Sequence, residues 1–413
     1  MIEFNAFIYG LLFFFYFLKD RKSSISVLLL GIYFIAALFS VYLFNHPDYD
    51  NRFIKLSIGP FIYLFLSLFI YFKPLLKFKI ENVVIIKKPP IKIIYNISIV
   101  IILVSALTSL LLFPYAVKGM IGDLAQNRIN VRENGLEGLN DSFISSSIVT
   151  FGLSINDFSI LLFFYLITFY KSKRTLNTFL GFFVILTPLL YSFSYTARGT
   201  LIFIFLKVLI CFLLFRKFMP IRTIKLFKYF FAISSSMPLI FTIIITNSRF
   251  GDSNIDPYFS VFQYLGESFI QFNGILFDNI KDFLYGDRTL PIFKKIIGTN
   301  LLTLDQQMKI TGIKPYIFYT FVGDFIMDFG HILTFILIAF LSFVMRKLIN
   351  YNKIIHFHDL ILFYLYYLIA IQGVFCYLYI GYLGNFIIIS TFMIYVYFRI
   401  NASKILFKRT KFK

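Results

Sequence analysis

The residues of this chain best equipped for chemistry are few and fall mostly in its second half. In Gly323-Asp324-Phe-Ile-Met-Asp328-Phe-Gly330-His331, two carboxylates and an imidazole stand at i, i+4 and i+7. If the string is helical, one face carries Asp324, Asp328 and His331, an acid/base set able to take a proton from a hydroxyl. Gly330 is the residue that would interrupt such a helix, and a merely solvated polar stripe is the alternative reading. A third candidate base, Glu267, sits in Pro257-Tyr-Phe-Ser-Val-Phe-Gln-Tyr-Leu-Gly-Glu267-Ser-Phe-Ile-Gln-Phe, where aromatic anchors mix with polar groups as in a helix lying on a membrane surface.

Four cations stand out for their setting. Arg198 occupies a very short connection, Ser-Tyr-Thr-Ala-Arg198-Gly-Thr, and Arg249 follows an apolar run in Thr-Asn-Ser-Arg249-Phe-Gly-Asp. A guanidinium at such a boundary can fork onto a phosphate with two parallel hydrogen bonds; snorkelling to lipid headgroups is the competing reading. Arg288 lies in the same outer segment and strengthens the case for an anionic ligand. Lys207 stands nine residues after Arg198, about 14 Å deeper at helical rise. A charge at that depth costs roughly 3 kcal/mol unless it faces a cavity or a partner. It is either a second contact for a lipid-linked anion or one half of an ion pair with an acid still to be found.

The elements that must hold these groups are membrane helices. Of the 413 residues, 59% are hydrophobic and only 15% charged, and apolar runs near the length a helix needs to cross a bilayer recur from end to end. The spans read roughly 4–18, 26–45, 56–72, 94–113, 154–170, 177–193, 199–215, 229–246, 329–345, 359–379 and 383–398. The fold class is therefore all-α, a polytopic integral membrane protein with about eleven transmembrane helices, read as a single membrane domain over 1–413. Pro60 interrupts the third span, and the fifth has an early start available, because 143–150 is also apolar. Pro188 and Pro238 fall inside the sixth and eighth, where a kink suits helices bending around a cavity.

The net charge of +20 is parcelled into loops rather than gathered in a patch, which argues against nucleic acid as a partner. With the N-terminus outside, 26 Lys and Arg fall in inner loops and six in short outer ones, the bias expected when the basic loops stay in the cytoplasm. One segment, 247–317 between the eighth and ninth spans, is a large outer loop too long to be a structureless connection, so it is expected to be partly folded and functional.

No Walker A sequence, GxGxxG, CxxC or HExxH occurs, so nucleotide hydrolysis and conventional zinc chemistry lack their parts, and neither metal nor cofactor is expected. His356 and His358 flank one phenylalanine in a basic inner loop and read as solvated rather than as ligands. Cys211 and Cys376 fall in opposite halves of the membrane and are not expected to pair.

The order of aromatic-rich spans, the hairpin Tyr195-Thr-Ala-Arg198-Gly199-Thr, an outer loop opening with Arg249, and Thr320-Phe-Val-Gly-Asp324 leading into Asp328-Phe-Gly330 together resemble the bacterial O-antigen polymerases, the oligosaccharide repeat-unit polymerases. The resemblance covers most of the chain, chiefly about 154–345. It implies a GT-C-like glycosyltransferase of the bacterial inner membrane, N-terminus periplasmic and C-terminus cytoplasmic. The enzyme would move glycan from undecaprenyl pyrophosphate onto a new lipid-linked repeat unit at the periplasmic face. Arg198, Arg249, Arg288 and Lys207 would meet the pyrophosphate, with Asp328, His331 or Glu267 as base. The implied partners are the undecaprenyl-pyrophosphate-linked oligosaccharide, membrane lipid and a polysaccharide chain-length regulator. An O-antigen ligase, using the same donor, and a lipid-linked oligosaccharide flippase are the rival readings.

Overall fold

A computed structural model describes residues 1–19, 24–51, 54–121, 143–170, 174–194, 198–234, 257–349, 351 and 353–410. The helices are α1 (Ile2–Lys19), α2 (Ser24–Phe44), α3 (Ile58–Lys77), α4 (Ile91–Ile121), α5 (Phe143–Ser154), α6 (Asn156–Phe169), α7 (Arg174–Ser194), α8 (Arg198–Phe215), α9 (Ile221–Ser234), α10 (Pro257–Gln271), α11 (Pro291–Ile296), α12 (Leu304–Thr311), α13 (Thr320–Leu348), α14 (Phe357–Gln372) and α15 (Gly381–Thr410). A π-helical turn, Phe272–Phe277, follows α10, and the only strands among the described residues are two of three residues each. The chain is thus an all-α polytopic membrane protein.

Eight helices among the described residues are long and apolar enough to span a bilayer, and a ninth span arises if the pair Ser147–Ser154 and Asn156–Phe169 is one helix bent by 43°. The early start available to the fifth span is this bent pair. Pro60 does not break the third span: it sits in the first turn of α3, where its missing N–H leaves no bond unmade. The expected tenth span is shorter than read, because α14 ends at Gln372 and the chain turns before α15 begins. Most of the expected eighth span, with Pro238, lies outside the described residues.

The described residues form two compact units. The first comprises Met1–Val84, Tyr258–Ile355 and Leu365–Asn385; the second comprises Ile85–Pro257, His356–Tyr364 and Phe386–Lys413. A hydroxyl buried in a lipid-solvated bundle has no water to bond, so a buried tyrosine gains from an acceptor in the protein. In the first unit Tyr33 donates to the carbonyl of Ala370 at 2.8 Å, Tyr366 to that of Tyr71 at 2.8 Å, and Tyr367 to that of Ile25 at 2.6 Å. The rings of Tyr71 and Tyr366 stack at 4.1 Å. These bonds tie α2 and α3 to the end of α14. The outward faces of the same helices carry Ile35, Leu38, Ile62 and Leu66, exposed apolar residues that suit contact with lipid.

In the second unit Phe158, Tyr165 and Phe357 pack face and edge around the start of α14. Asn156 donates to the carbonyl of Val184 at 3.0 Å, seating α6 on α7 just past the bend.

Candidate active site

Helix α10 presents two faces of opposite character. Phe259, Phe262 and Phe269 recur at helical spacing and meet, in order, His46, the pair Tyr42 and Phe39, and Tyr33. The helix therefore runs antiparallel along α2 with its aromatic side docked, not simply flat on a surface. The approach is close because residue 266 is glycine: a Cβ there would come within 2.6 Å of the backbone of Phe39 and Ser40.

Gln263, Glu267 and Gln271 stand at i, i+4 and i+8 along the same helix, as a polar stripe. Glu267 Oε1 accepts from Gln271 Nε2 at 3.0 Å and from Gln263 Nε2 at 3.4 Å, and Gln271 also reaches the Tyr49 hydroxyl at 3.4 Å. Glu267 Oε2 accepts no hydrogen bond among the described residues, and no cation pairs with the carboxyl there. Burial pushes the Glu267 carboxyl up from its ordinary range, with the two amides pulling partly against that rise. Glu267 itself is half-buried. The two glutamines were not singled out from sequence, although their spacing of four on either side of Glu267 was visible.

The segment after α10 folds back onto α13, where two carboxylates hold it, and a third binds the segment within itself. Asp324 receives Arg288 Nη2 at 2.6 Å on one oxygen and the backbone N–H of Tyr377 at 2.6 Å on the other. Arg288 Nη1 donates to the carbonyl of Pro315 at 2.7 Å. Asp328 receives the backbone N–H groups of Arg288 and Thr289 at 3.3 and 2.7 Å, and the Thr289 hydroxyl at 2.6 Å. Asp287 receives Lys294 Nζ at 3.3 Å and Gln307 Nε2 at 3.0 Å. Buried charges persist when they are paired and hydrogen-bonded, a condition the three carboxylates meet, although Arg288 Nε is buried without a hydrogen-bond partner among the described residues. Residues 257–317 thus carry three helices and a π-helical turn rather than a structureless connection.

These bonds change three sequence expectations. The Arg288 guanidinium is buried and held by Asp324 and Pro315, so it is a structural partner rather than an open ligand for a diphosphate. Asp328 is wholly buried with both oxygens engaged, which suits an anchor better than a base. His331 leaves the common face because Gly330 adopts φ 72° and ψ 176° and breaks the helix one residue earlier. Its Nε2 lies 2.9 Å from the carbonyl of Phe277, and its ring packs 4.3 Å from the Phe277 ring, away from the two aspartates. Thr289 and Asp287, which complete the network, carried no signal beyond the polar run Gly286-Asp-Arg-Thr289.

In the second unit, Lys207 of α8 forms an ion pair with Asp157, the second residue of α6. Of the two readings open for Lys207, pairing with an acid is the one the structure realises. Arg198 opens α8, but its side chain, like the whole of Arg249, lies outside the described residues. His356 and His358 stack at 4.9 Å, and Asp359, overlooked beside them, accepts the His356 backbone N–H at 2.9 Å. Cys211 and Cys376 are both free. Among the described residues no three His, Cys, Asp or Glu side chains gather as a metal site.

What this arrangement can do is narrow: Glu267, with one open oxygen and a raised affinity for a proton, can exchange that proton with a hydroxyl brought to the polar stripe. No family model matches the chain, and no curated protein and no solved structure is significantly similar to it.

Proposed function

We propose that this protein is a membrane glycosyltransferase of the repeat-unit polymerase type, working on undecaprenyl-pyrophosphate-linked glycan at the periplasmic face of the bacterial inner membrane. In this reading the acceptor hydroxyl attacks the anomeric carbon of the donor, the bond from that carbon to the diphosphate oxygen breaks, and undecaprenyl pyrophosphate leaves. The hydroxyl proton passes to Glu267. Arg198 and Arg249 meet the charge that builds on the diphosphate, a task suited to guanidinium groups in a medium drier than water. About eleven spans in a GT-C-like arrangement, N-terminus periplasmic and C-terminus cytoplasmic, frame the reaction, and a chain-length regulator is its expected partner.

The observation that carries the proposal is the open Oε2 of Glu267. Of the three candidate bases, Asp328 has both oxygens engaged by Thr289 and Arg288, whereas His331, giving Nε2–H to the Phe277 carbonyl, keeps Nδ1, and Glu267 keeps Oε2; Glu267 is preferred because amide and tyrosine groups surround it. The amide, carboxyl and tyrosine groups around it are the donors and acceptors that sugar hydroxyls pair with.

The test is the surface polysaccharide of a deletion strain. A polymerase predicts that the ladder collapses to a single repeat on core, restored by the wild-type gene and not by Glu267→Gln or Arg198→Ala at equal expression. Loss of all repeats points to a flippase, and free lipid-linked polymer that never reaches core points to a ligase.

A further inference from the structure

The outer segment carries a patch that the proposed chemistry does not use. Around the short helix α11 the apolar side chains Phe293, Ile296 and Ile297 face outward, with Ile296 75% and Ile297 78% exposed. Only Ile332, on the lipid-facing side of α13, is more exposed among the described large apolar residues, at 80%. Two adjacent isoleucines so open to water would be an unfavourable end to a segment otherwise folded around satisfied carboxylates.

The patch is also basic, and its height relative to the membrane can be read from its contacts. Lys294 is already engaged by Asp287 and by the carbonyl of Leu284, whereas Lys295 has no carboxylate partner among the described residues. The Lys295 ammonium sits 5.4 Å from the ring centre of Tyr382. Tyr382 is the second residue of the apolar span that begins at Gly381, and the N–H of Gly381 donates to the carbonyl of Arg288 at 3.0 Å. The turn into α11 is therefore fastened where a span enters the bilayer, the level at which tyrosines and lysines meet headgroups.

We infer that α11 and the residues after it form a membrane-surface contact: Ile296 and Ile297 enter the outer boundary of the bilayer while Lys295 engages the phosphate of an anionic phospholipid. The chemistry fits such a surface, because the apolar side chains gain from leaving water, and an ammonium beside them can reach a phosphate without being buried itself. A second copy of the chain would have to offer an acidic apolar patch to fit as well. This inference stands apart from the proposed glycosyl transfer and survives its failure.

The chain contains no tryptophan, so a single introduced one reports alone. Full-length Ile297→Trp, Ile332→Trp and Asp305→Trp variants, each eluting like wild type on size exclusion, would be reconstituted in phosphatidylcholine vesicles with and without phosphatidylglycerol. Fluorescence would be quenched by brominated acyl chains on one side and aqueous iodide on the other. The inference expects Ile297→Trp to behave like Ile332→Trp, losing about half its emission to brominated lipid, more so with phosphatidylglycerol. Adding Lys295→Glu should abolish the dependence on phosphatidylglycerol. If Ile297→Trp is instead quenched by iodide as fully as Asp305→Trp, the patch is in water and the inference fails. Protection from both quenchers would mean a protein covers it and would overturn the lipid assignment equally.

Discussion

Arg288 and Asp324 form a buried ion pair, Nη2 to Oδ1 at 2.6 Å, that joins the segment after α10 to the first turns of α13. Removing one partner leaves the other as an uncompensated buried charge. We expect Arg288→Leu or Asp324→Leu alone to lower stability by about 3–5 kcal/mol, and the paired replacement to recover much of it. Thermal unfolding in detergent checks this. An Arg288 that served mainly as a diphosphate ligand would show lost activity at unchanged melting temperature.

Asp328→Asn places an amide NH2 where the N–H and hydroxyl of Thr289 now donate. Donor against donor costs about 1–3 kcal/mol, so any loss of activity should track a loss of stability and be partly recovered at lower temperature. Activity reduced by orders of magnitude with an unchanged unfolding curve would restore Asp328 as a base.

Glu267 should behave in the opposite way. Glu267→Gln keeps the shape and the contact with Gln271, so reconstituted polymerisation is expected to fall about 10²–10⁴-fold while the fold persists. Burial raises the carboxyl's pKa in the folded protein. Below the unfolded value the carboxyl is neutral in both states and its contribution to stability is complete; that contribution is lost as pH rises through the raised folded value. Wild type should therefore lose stability relative to Glu267→Gln as pH climbs through that window, while the proposed activity rises over the same range, since Glu267 in the proposed role must be ionised. A pH profile identical in the two proteins would exclude the role.

The pair between Lys207 and Asp157 lies in membrane-crossing helices, where an orphaned charge costs roughly 3 kcal/mol. Lys207→Met alone and Asp157→Leu alone should each destabilise by about that amount, and the double variant should melt close to wild type. Normal polymer length from the double variant would confine the pair to structure. Persistent loss despite restored stability would give Lys207 a part in the reaction.

Gly330 offers a backbone test. Its φ and ψ belong to a region open to glycine almost alone, and a Cβ there would come within 2.7 Å of the Phe283 ring. Gly330→Ala should cost about 1–3 kcal/mol in the same unfolding measurement. An alanine variant as stable as wild type would mean the helix straightens without penalty.

How much of this could be read beforehand follows from the physics of each feature. Spans were legible because lipid demands long apolar runs, and α2 and α3 lie close to where the runs placed them. The bend ahead of Asp157 was visible only as an ambiguous start, since both halves are apolar. Glycine's ability to interrupt α13 was legible, but not that it would send His331 toward Phe277. The partners of Arg288 lie 27 and 36 residues away in the chain, and no local spacing relates them. Gln263 and Gln271 were readable at four-residue intervals, yet glutamines on an amphipathic helix are common enough to pass unnoticed.

The interruption at Gly330 also separates two kinds of inheritance within one helix. Residues 320–329 are bound by carboxylates to Arg288 and Thr289, while 331–348 answer to lipid and neighbouring spans. An insertion or a change of bilayer thickness could rotate or lengthen the C-terminal half without transmitting its register to the aspartates. A continuous helix would carry every such alteration straight through to them.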